Sequence, residues 1–225
     1  MRVGTVNWRA KARVDEAWDA LRRAWPAALV CTLLATAGVL GARALALAHG
    51  LENAYTLRDP AAITGARWFI GIQSTVGGML WVAAGAVCLF GGGFLRRASA
   101  MRREAGFLVA AGVFSLWLGL DDLFMLHDEL LPLIGIPEAV PYTLYLALCG
   151  ICTVRFWRVI LRANVLLLVG AGVGLGTSLL IDQFFDSHFF EDGTKFYGIV
   201  FWAAYLWDAT TTLLSEAFAS GRAPR

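Results

Sequence analysis

The hydrophobic residues of this chain occur in long continuous runs rather than in alternation with polar residues. Six runs can be distinguished, at residues 27–48, 68–94, 105–126, 141–161, 163–184 and 195–218. A helix that rises 1.5 Å per residue needs about 20 residues to cross about 30 Å of hydrocarbon. Continuous runs also differ from the alternating pattern of a membrane-spanning strand. The pattern therefore predicts an all-α integral membrane protein, a bundle of six transmembrane helices.

The segment before the first run has a different pattern. Val14, Trp18, Leu21 and Trp25 recur at helical spacing, and charged residues occupy the positions between them. This arrangement is typical of an amphipathic helix that lies in the membrane interface. The sequence thus predicts three parts: an interfacial helix over residues 1–26, a membrane domain over 27–218 and a short tail over 219–225.

Composition agrees with a membrane protein. The chain is 58% hydrophobic and 16% charged, with a mean hydropathy of +0.63, which excludes an ordinary soluble domain. Only two of the 19 basic residues, Lys11 and Lys195, are lysines, and this bias indicates a GC-rich bacterial genome. We therefore expect a bacterial inner membrane protein whose partners are membrane lipids rather than nucleic acid.

The basic residues are concentrated in alternate connections. Fifteen of the 19 lie before the first run or at and beyond the ends of the second, fourth and sixth runs, whereas 11 of the 17 acidic residues lie on or beside the opposite connections. Arginine and lysine accumulate on the cytoplasmic side of bacterial membrane proteins. This distribution predicts that both termini are cytoplasmic.

The three histidines share one position relative to the runs. Each lies just past the outer end of an odd-numbered run, six residues after a charged residue. The last two pairs extend this match to the pattern Asp-x-x-Phe-x-x-His. The three pairs are Arg43 and His49, Asp121 and His127, and Asp182 and His188. This recurrence marks the outer end of the bundle as the candidate functional region.

Asp121 is expected to lie within the membrane. In a helix that starts near Ala105 it is about 24 Å along, roughly 6 Å short of the outer boundary of a 30 Å core. An unpaired carboxylate at that depth costs several kcal/mol or takes up a proton. Arg43 lies at the same depth in the first run, so we predict that it pairs with Asp121 or Asp122 and acts as a structural counter-ion.

Helical phase limits what these residues can do together. At 100° per residue, His127 lies roughly 140° from Asp122 around a straight helix. Asp182 and Asp186 share a face, whereas His188 points elsewhere. Either the helices unwind near Leu126 and Ser187, or the histidines meet partners on neighbouring helices.

Three interpretations of this region remain open. In the first, a divalent metal (zinc, iron or manganese) serves a membrane-embedded enzyme that acts on a lipid-like or quinone-like substrate. Its candidate ligands are His127, His188 and Asp182, and its candidate catalytic acids and bases are Asp122, Glu129 and Asp186.

In the second interpretation, intramembrane carboxylates form the path of a proton- or cation-coupled small transporter. Asp121, Asp122 and Asp182 would lie at its outer end, and Asp208 in the sixth run would lie deeper.

In the third interpretation, ion pairs only hold the helices together and the chain is an accessory subunit of a larger complex. Two small-residue pairs in the fifth run, Gly170/Gly174 and Gly172/Gly176, would then allow close helix contact or oligomerisation.

The entry to the sixth run contains one further feature. Residues 191–196 are predicted to form a turn around Gly193, and Lys195 follows it. We expect Lys195 to neutralise Glu191, Asp192 or a bound anion.

Overall fold

The computed structural model describes residues 8–52, 54–57, 60–67, 69–97, 101–185 and 188–221, and all regular structure in these ranges is helical. The α-helices are α1 (Trp8–Ala48), α2 (Ala54–Leu57), α3 (Pro60–Thr64), α4 (Ile72–Arg96), α5 (Arg102–Phe124), α6 (Leu131–Leu133), α7 (Ala139–Ile160), α8 (Val165–Phe184) and α9 (His188–Ala219). A π-helical turn, Leu126–Leu130, lies between α5 and α6. The chain divides into two compact units, residues 1–70 and 71–225.

The first unit is dominated by α1. This helix continues through Pro26 without a break, so the predicted boundary between an interfacial helix and the first span is not marked by a helix end. A proline inside a helix removes one backbone hydrogen bond but need not end the helix. The chain turns after Ala48, where the backbone N–H of Leu51 donates to the carbonyl of Ala46 at 2.8 Å.

The second unit is built around α4, α5 and α9. Helix α8 packs against α9, and α7 lies along α5. The centre contains fully buried side chains from the three central helices, among them Cys88, Leu108, Tyr205, Leu206 and Leu213.

Glycines allow the closest helix contacts in this unit. A Cβ atom built on Gly112 of α5 would lie 2.9 Å from the carbonyl oxygen of Gly85 on α4. A Cβ atom on Gly174 of α8 would lie 2.6 Å from the backbone nitrogen of Gly198 on α9. Backbones that approach this closely require residues without a side chain. The predicted pair Gly170/Gly174 therefore packs against α9, whereas Cβ atoms on Gly172 and Gly176 would meet no atom of the described chain within 4 Å.

Four of the helices are long and apolar enough to cross a membrane: α4, α5, α7 and α8. Their bounds differ by at most four residues from those of the second to fifth predicted runs. The prediction of an all-α protein with several membrane-spanning helices is thus confirmed at this level. The apolar part of α1, Ala35–Ala48, is shorter than each of these four helices. Helix α9 is 32 residues long but includes Lys195, Asp208 and Glu216.

The two ends of the second unit carry different side chains. We call one the histidine end, where α5 and α8 end and α7 and α9 begin (Phe124, Phe184, Ala139 and His188). We call the other the arginine end, where α4 and α7 end and α5 and α8 begin (Arg96, Ile160, Arg102 and Val165).

Candidate functional site

The site at the histidine end begins with a break in the helix. Helix α5 stops at Phe124, and Met125 adopts a left-handed conformation with φ 48° and ψ 46°. Met125 is the one described non-glycine residue with a positive φ. The chain then resumes as the π-helical turn Leu126–Leu130. Such turns and left-handed residues occur frequently at functional sites.

The break brings His127 back over Asp121. The His127 backbone N–H donates to Asp121 Oδ1 at 3.0 Å, and His127 Nδ1 lies 2.7 Å from Asp121 Oδ2. Both residues are buried, with 3% of Asp121 and 8% of His127 exposed. A straight helix could not bring the two side chains together. The structure therefore confirms, for this pair, the first of the two alternatives, unwinding near Leu126.

His127 has a second carboxylate on its other side. Its Nε2 lies 3.0 Å from Asp128 Oδ1, and the Asp128 side chain is 55% exposed. The ring of Tyr142, in the first turn of α7, packs on the imidazole at a centroid distance of 5.2 Å. With a carboxylate at each nitrogen, the arrangement favours an imidazolium that donates from both N–H groups.

The environment raises the pKa of His127 above its ordinary value. The hydrogen bond to Asp121 makes the largest contribution, and the negative charges of Asp121 and Asp128 add to it. Burial and the positive charge of Lys195 act in the opposite direction. Neither ring nitrogen of an imidazolium in this geometry has a lone pair directed at a metal ion.

A second charged pair lies one residue further along α5. Lys195 Nζ donates to Asp122 Oδ1 at 2.5 Å and joins α9 to α5. The side chain of Asp122 is largely buried and that of Lys195 is partly buried. We predicted that Lys195 would neutralise Glu191, Asp192 or an anion, but its partner in the structure is Asp122.

The predicted turn at residues 191–196 is wrong, because α9 begins at His188 and includes them. The Thr194 hydroxyl donates to the carbonyl of Phe190 at 2.8 Å, as it does within a helix. Gly193 is thus a helical residue, and Lys195 lies in the second turn. This position lets it reach Asp122.

Asp182 lies near the same end of the bundle, in the last turn of α8. Its side chain is exposed and accepts a hydrogen bond from Gln183 Nε2 at 3.2 Å. Tyr142 interacts electrostatically with Asp182 as well as with Asp121 and Asp128. Tyr142 therefore lies in the electrostatic field of acidic residues from both α8 and the His127 site.

The other predicted site residues are not joined to this cluster. Glu129 is exposed on the π-helical turn. Asp186 and the side chain of His188 lie outside the described part of the chain. Among the described residues, no three histidine, cysteine or acidic side chains are grouped as metal ligands would be. The pairing of Arg43 with Asp121 or Asp122 stays a prediction, because Arg43 belongs to the first unit and the two aspartates to the second. Within the second unit, Asp121 contacts His127 and Asp122 contacts Lys195.

Asp208 lies towards the arginine end. Its Oδ2 accepts a hydrogen bond at 2.7 Å from the backbone N–H of Asn164, which itself caps the start of α8 through Leu166. The predicted deeper carboxylate is therefore partnered with the connection between α7 and α8.

Sequence reasoning missed Asp128 and Tyr142 as contributors to the site, and it assigned Lys195 to partners other than Asp122. Asp128 directly follows His127, and this proximity was a usable signal. Lys195 is 73 residues from Asp122 along the chain. No local pattern marks that pair, nor the packing of Tyr142 on the imidazole.

Comparison with known proteins adds a family but no activity. The family described as "Domain of unknown function (DUF8692)" matches residues 25–209. No curated protein and no solved structure matches the chain. The matched region includes Asp121, His127, Asp128 and Lys195, so the site lies within the part of the chain that the family shares.

Proposed function

The chain belongs to the DUF8692 family, and we propose that this member is a multi-pass bacterial inner membrane protein that transfers protons at its histidine end. The observation on which this depends is the position of His127 between a buried carboxylate, Asp121, and an exposed one, Asp128. We call these three residues the proton relay.

The proposed topology has six spans, α1 and α9 in addition to the four most apolar helices, with both termini cytoplasmic. The course of α9 supports this topology. Lys195, near its start, contacts Asp122 at the histidine end, and Glu216, near its end, contacts Arg162 at the arginine end. The arginine end would then be cytoplasmic by the positive-inside rule.

The geometry supports a simple sequence of proton transfers. Asp128 is exposed and exchanges protons with water. The imidazolium of His127 releases its Nδ1 proton to Asp121, which leaves a neutral ring whose remaining proton is on Nε2. That proton moves to Nδ1 through water as the ring changes tautomer, and Nε2 then accepts a proton from Asp128, which restores the imidazolium, so each cycle moves one proton from water to the buried carboxylate.

Polar groups continue from Asp121 into the bundle. Tyr145 interacts electrostatically with Asp121, and its hydroxyl accepts a hydrogen bond from the indole N–H of Trp117 at 3.1 Å. Deeper in the bundle, the hydroxyl of the fully buried Ser115 accepts from Trp202 Nε1 at 2.9 Å. These groups support a proton path that runs inward from Asp121, with Asp208, towards the arginine end, as its last station.

Proton uptake into proteoliposomes tests this proposal. An imposed membrane potential drives protons inward, and a pH-sensitive dye in the lumen records them. We expect uptake above that of protein-free vesicles for the wild type, and loss of most of that excess in His127→Gln and in Asp121→Asn. His49→Gln removes a histidine outside the relay and is the matched control.

Two outcomes would contradict the proposal: wild-type uptake no greater than that of protein-free vesicles, or equal uptake in the wild type and in His127→Gln. If the relay variants lowered only thermal stability, the result would favour the third interpretation, an accessory subunit held together by its ion pairs.

A metal-dependent, membrane-embedded enzyme is the second candidate function. It is favoured by one observation, the position of Asp182 in the last turn of α8, at the same end of the bundle as His127. Metal analysis of protein purified without a histidine tag tests it: a stoichiometric metal that is lost in the His127→Ala/His188→Ala double variant would support an enzyme, and its absence from the wild type would contradict one.

A further inference from the structure

The arginine end carries more positive charge than its acidic residues neutralise. Arg162 alone takes up two carboxylates, with Nη1 2.9 Å from Glu104 and 3.2 Å from Glu216. Asp208 is partnered with the backbone of Asn164. Four exposed arginines at the start of α5 and the end of α7 form no ion pair with any carboxylate that the structure describes: Arg102, Arg103, Arg155 and Arg158.

The structure brings these arginines together from two helices. Arg103 Nη2 donates to the carbonyl of Arg155 at 2.8 Å. One turn further into the bundle, the rings of Phe107 and Phe156 pack at a centroid distance of 5.8 Å. The start of α5 is therefore held against the end of α7.

The neighbouring surface of α7 is apolar. Trp157 is half exposed, and the guanidinium of Arg158 lies over its ring at 5.3 Å from the centroid. Tryptophan and arginine together are typical of the level of lipid headgroups. Closer to the middle of α7, two aliphatic side chains are exposed, with Val154 78% exposed and Ile151 64% exposed.

From these observations we propose that the start of α5 and the end of α7 bind an anionic phospholipid. Its phosphate would lie among Arg102, Arg103, Arg155 and Arg158, and its acyl chains along Ile151 and Val154. Guanidinium groups match phosphate with paired N–H donors, and basic clusters at the cytoplasmic ends of transmembrane helices attract anionic headgroups. This site is separate from the proton relay, and it rests on the proposed topology, in which the arginine end is cytoplasmic, but not on proton transfer.

Native mass spectrometry of the delipidated full-length protein tests the site. Phosphatidylglycerol and phosphatidylcholine with identical acyl chains are titrated in parallel, and soluble glycerol phosphate is the probe for an anion site without a lipid. We expect preferential retention of phosphatidylglycerol by the wild type. The double variant Arg155→Gln/Arg158→Gln should bind phosphatidylglycerol about tenfold more weakly, because it removes two of the four positive charges that attract the anionic headgroup.

Arg96→Gln/Arg97→Gln is the matched control, because it removes the same charge at the same end of the bundle but from α4. We expect it to reduce binding less than threefold, which is less than about half of the α7 effect in binding free energy. Equal losses in the two double variants would overturn the proposal in favour of diffuse attraction. So would equal retention of the two lipids, or binding of glycerol phosphate as strong as that of phosphatidylglycerol.

Discussion

At the residue scale, the charge of each group in the site is set by its nearest partner. Asp121 is buried, and a buried carboxylate without a counter-charge is strongly destabilising. Two contacts from His127, one from the backbone and one from the ring, satisfy it. Asp122 is satisfied in the same way by Lys195. The site is therefore a set of matched charges whose balance changes when one member loses or gains a proton.

The raised pKa of His127 predicts a pH-dependent stability. A histidine whose pKa is higher in the folded than in the unfolded protein stabilises the fold fully below its unfolded pKa, about 6.5, and loses this contribution as the pH rises through the folded pKa. The melting temperature of the wild type in detergent should therefore fall as the pH is raised from below 6.5 into the alkaline range. His127→Gln should show a flatter profile over the same range.

His49→Gln is the control for this measurement, since that histidine is exposed in the turn directly after α1. Its profile should run parallel to that of the wild type. A wild-type melting temperature that rose with pH over this interval would show that the imidazole is stabilised in its neutral form, contrary to the geometry.

At the scale of single elements, the break after α5 decides whether the site exists. The sequence predicts the helix and its end to within a few residues, because apolar length determines both. It gives no sign of the left-handed residue, since Met125 is neither glycine nor asparagine, the residues that favour this conformation. Helical phase predicts only that either the helix unwinds near Leu126 or His127 meets a partner on a neighbouring helix.

Substitutions at Met125 test the break directly. A left-handed conformation costs a residue with a Cβ atom about 1–2 kcal/mol, whereas glycine adopts it freely. Met125→Gly should therefore unfold with a free energy about 1 kcal/mol higher than that of Met125→Ala. In a continuous helix the order is reversed, because alanine is favoured over glycine by about 1 kcal/mol. The sign of the difference in unfolding free energy thus distinguishes the two backbones.

The contact between α8 and α9 depends on glycine at one pair of positions and not at the other. Gly174→Ala would place a methyl group 2.6 Å from the backbone of Gly198, which cannot move aside as a flexible side chain would. We expect a loss of about 1–3 kcal/mol in unfolding free energy. Gly172→Ala, two residues away in open space, should be neutral or slightly stabilising, and equal effects of the two substitutions would contradict this packing.

At the scale of the whole molecule, the sequence predicts the positions of the four most apolar helices better than the partners of any helix. Four of the six predicted runs correspond to α4, α5, α7 and α8, which are long and apolar enough to cross a membrane. The sixth run lies within α9, and contacts with other helices compensate charged residues near the start and the end of this helix. Lys195 meets Asp122, and Glu216 meets Arg162. Pairs that lie 73 and 54 residues apart leave no trace in a local pattern.

The sidedness of the termini distinguishes six spans from four. Helix α4 begins at the histidine end and helix α8 ends there. A chain in which only the four most apolar helices crossed would therefore have both termini on that side. If α1 and α9 also cross, both termini lie on the side of the arginine end. Single cysteines introduced at Gly135, in the connection before α7, and at Ser220, after α9, report this difference in a background whose four native cysteines are replaced by serine or alanine.

A membrane-impermeant thiol reagent applied to intact cells should label Gly135→Cys and leave Ser220→Cys unlabelled until the membrane is opened. Labelling of both positions in intact cells would reduce the protein to four spans. The reverse pattern, with only Ser220→Cys labelled, would invert the topology and place the proton relay on the cytoplasmic side.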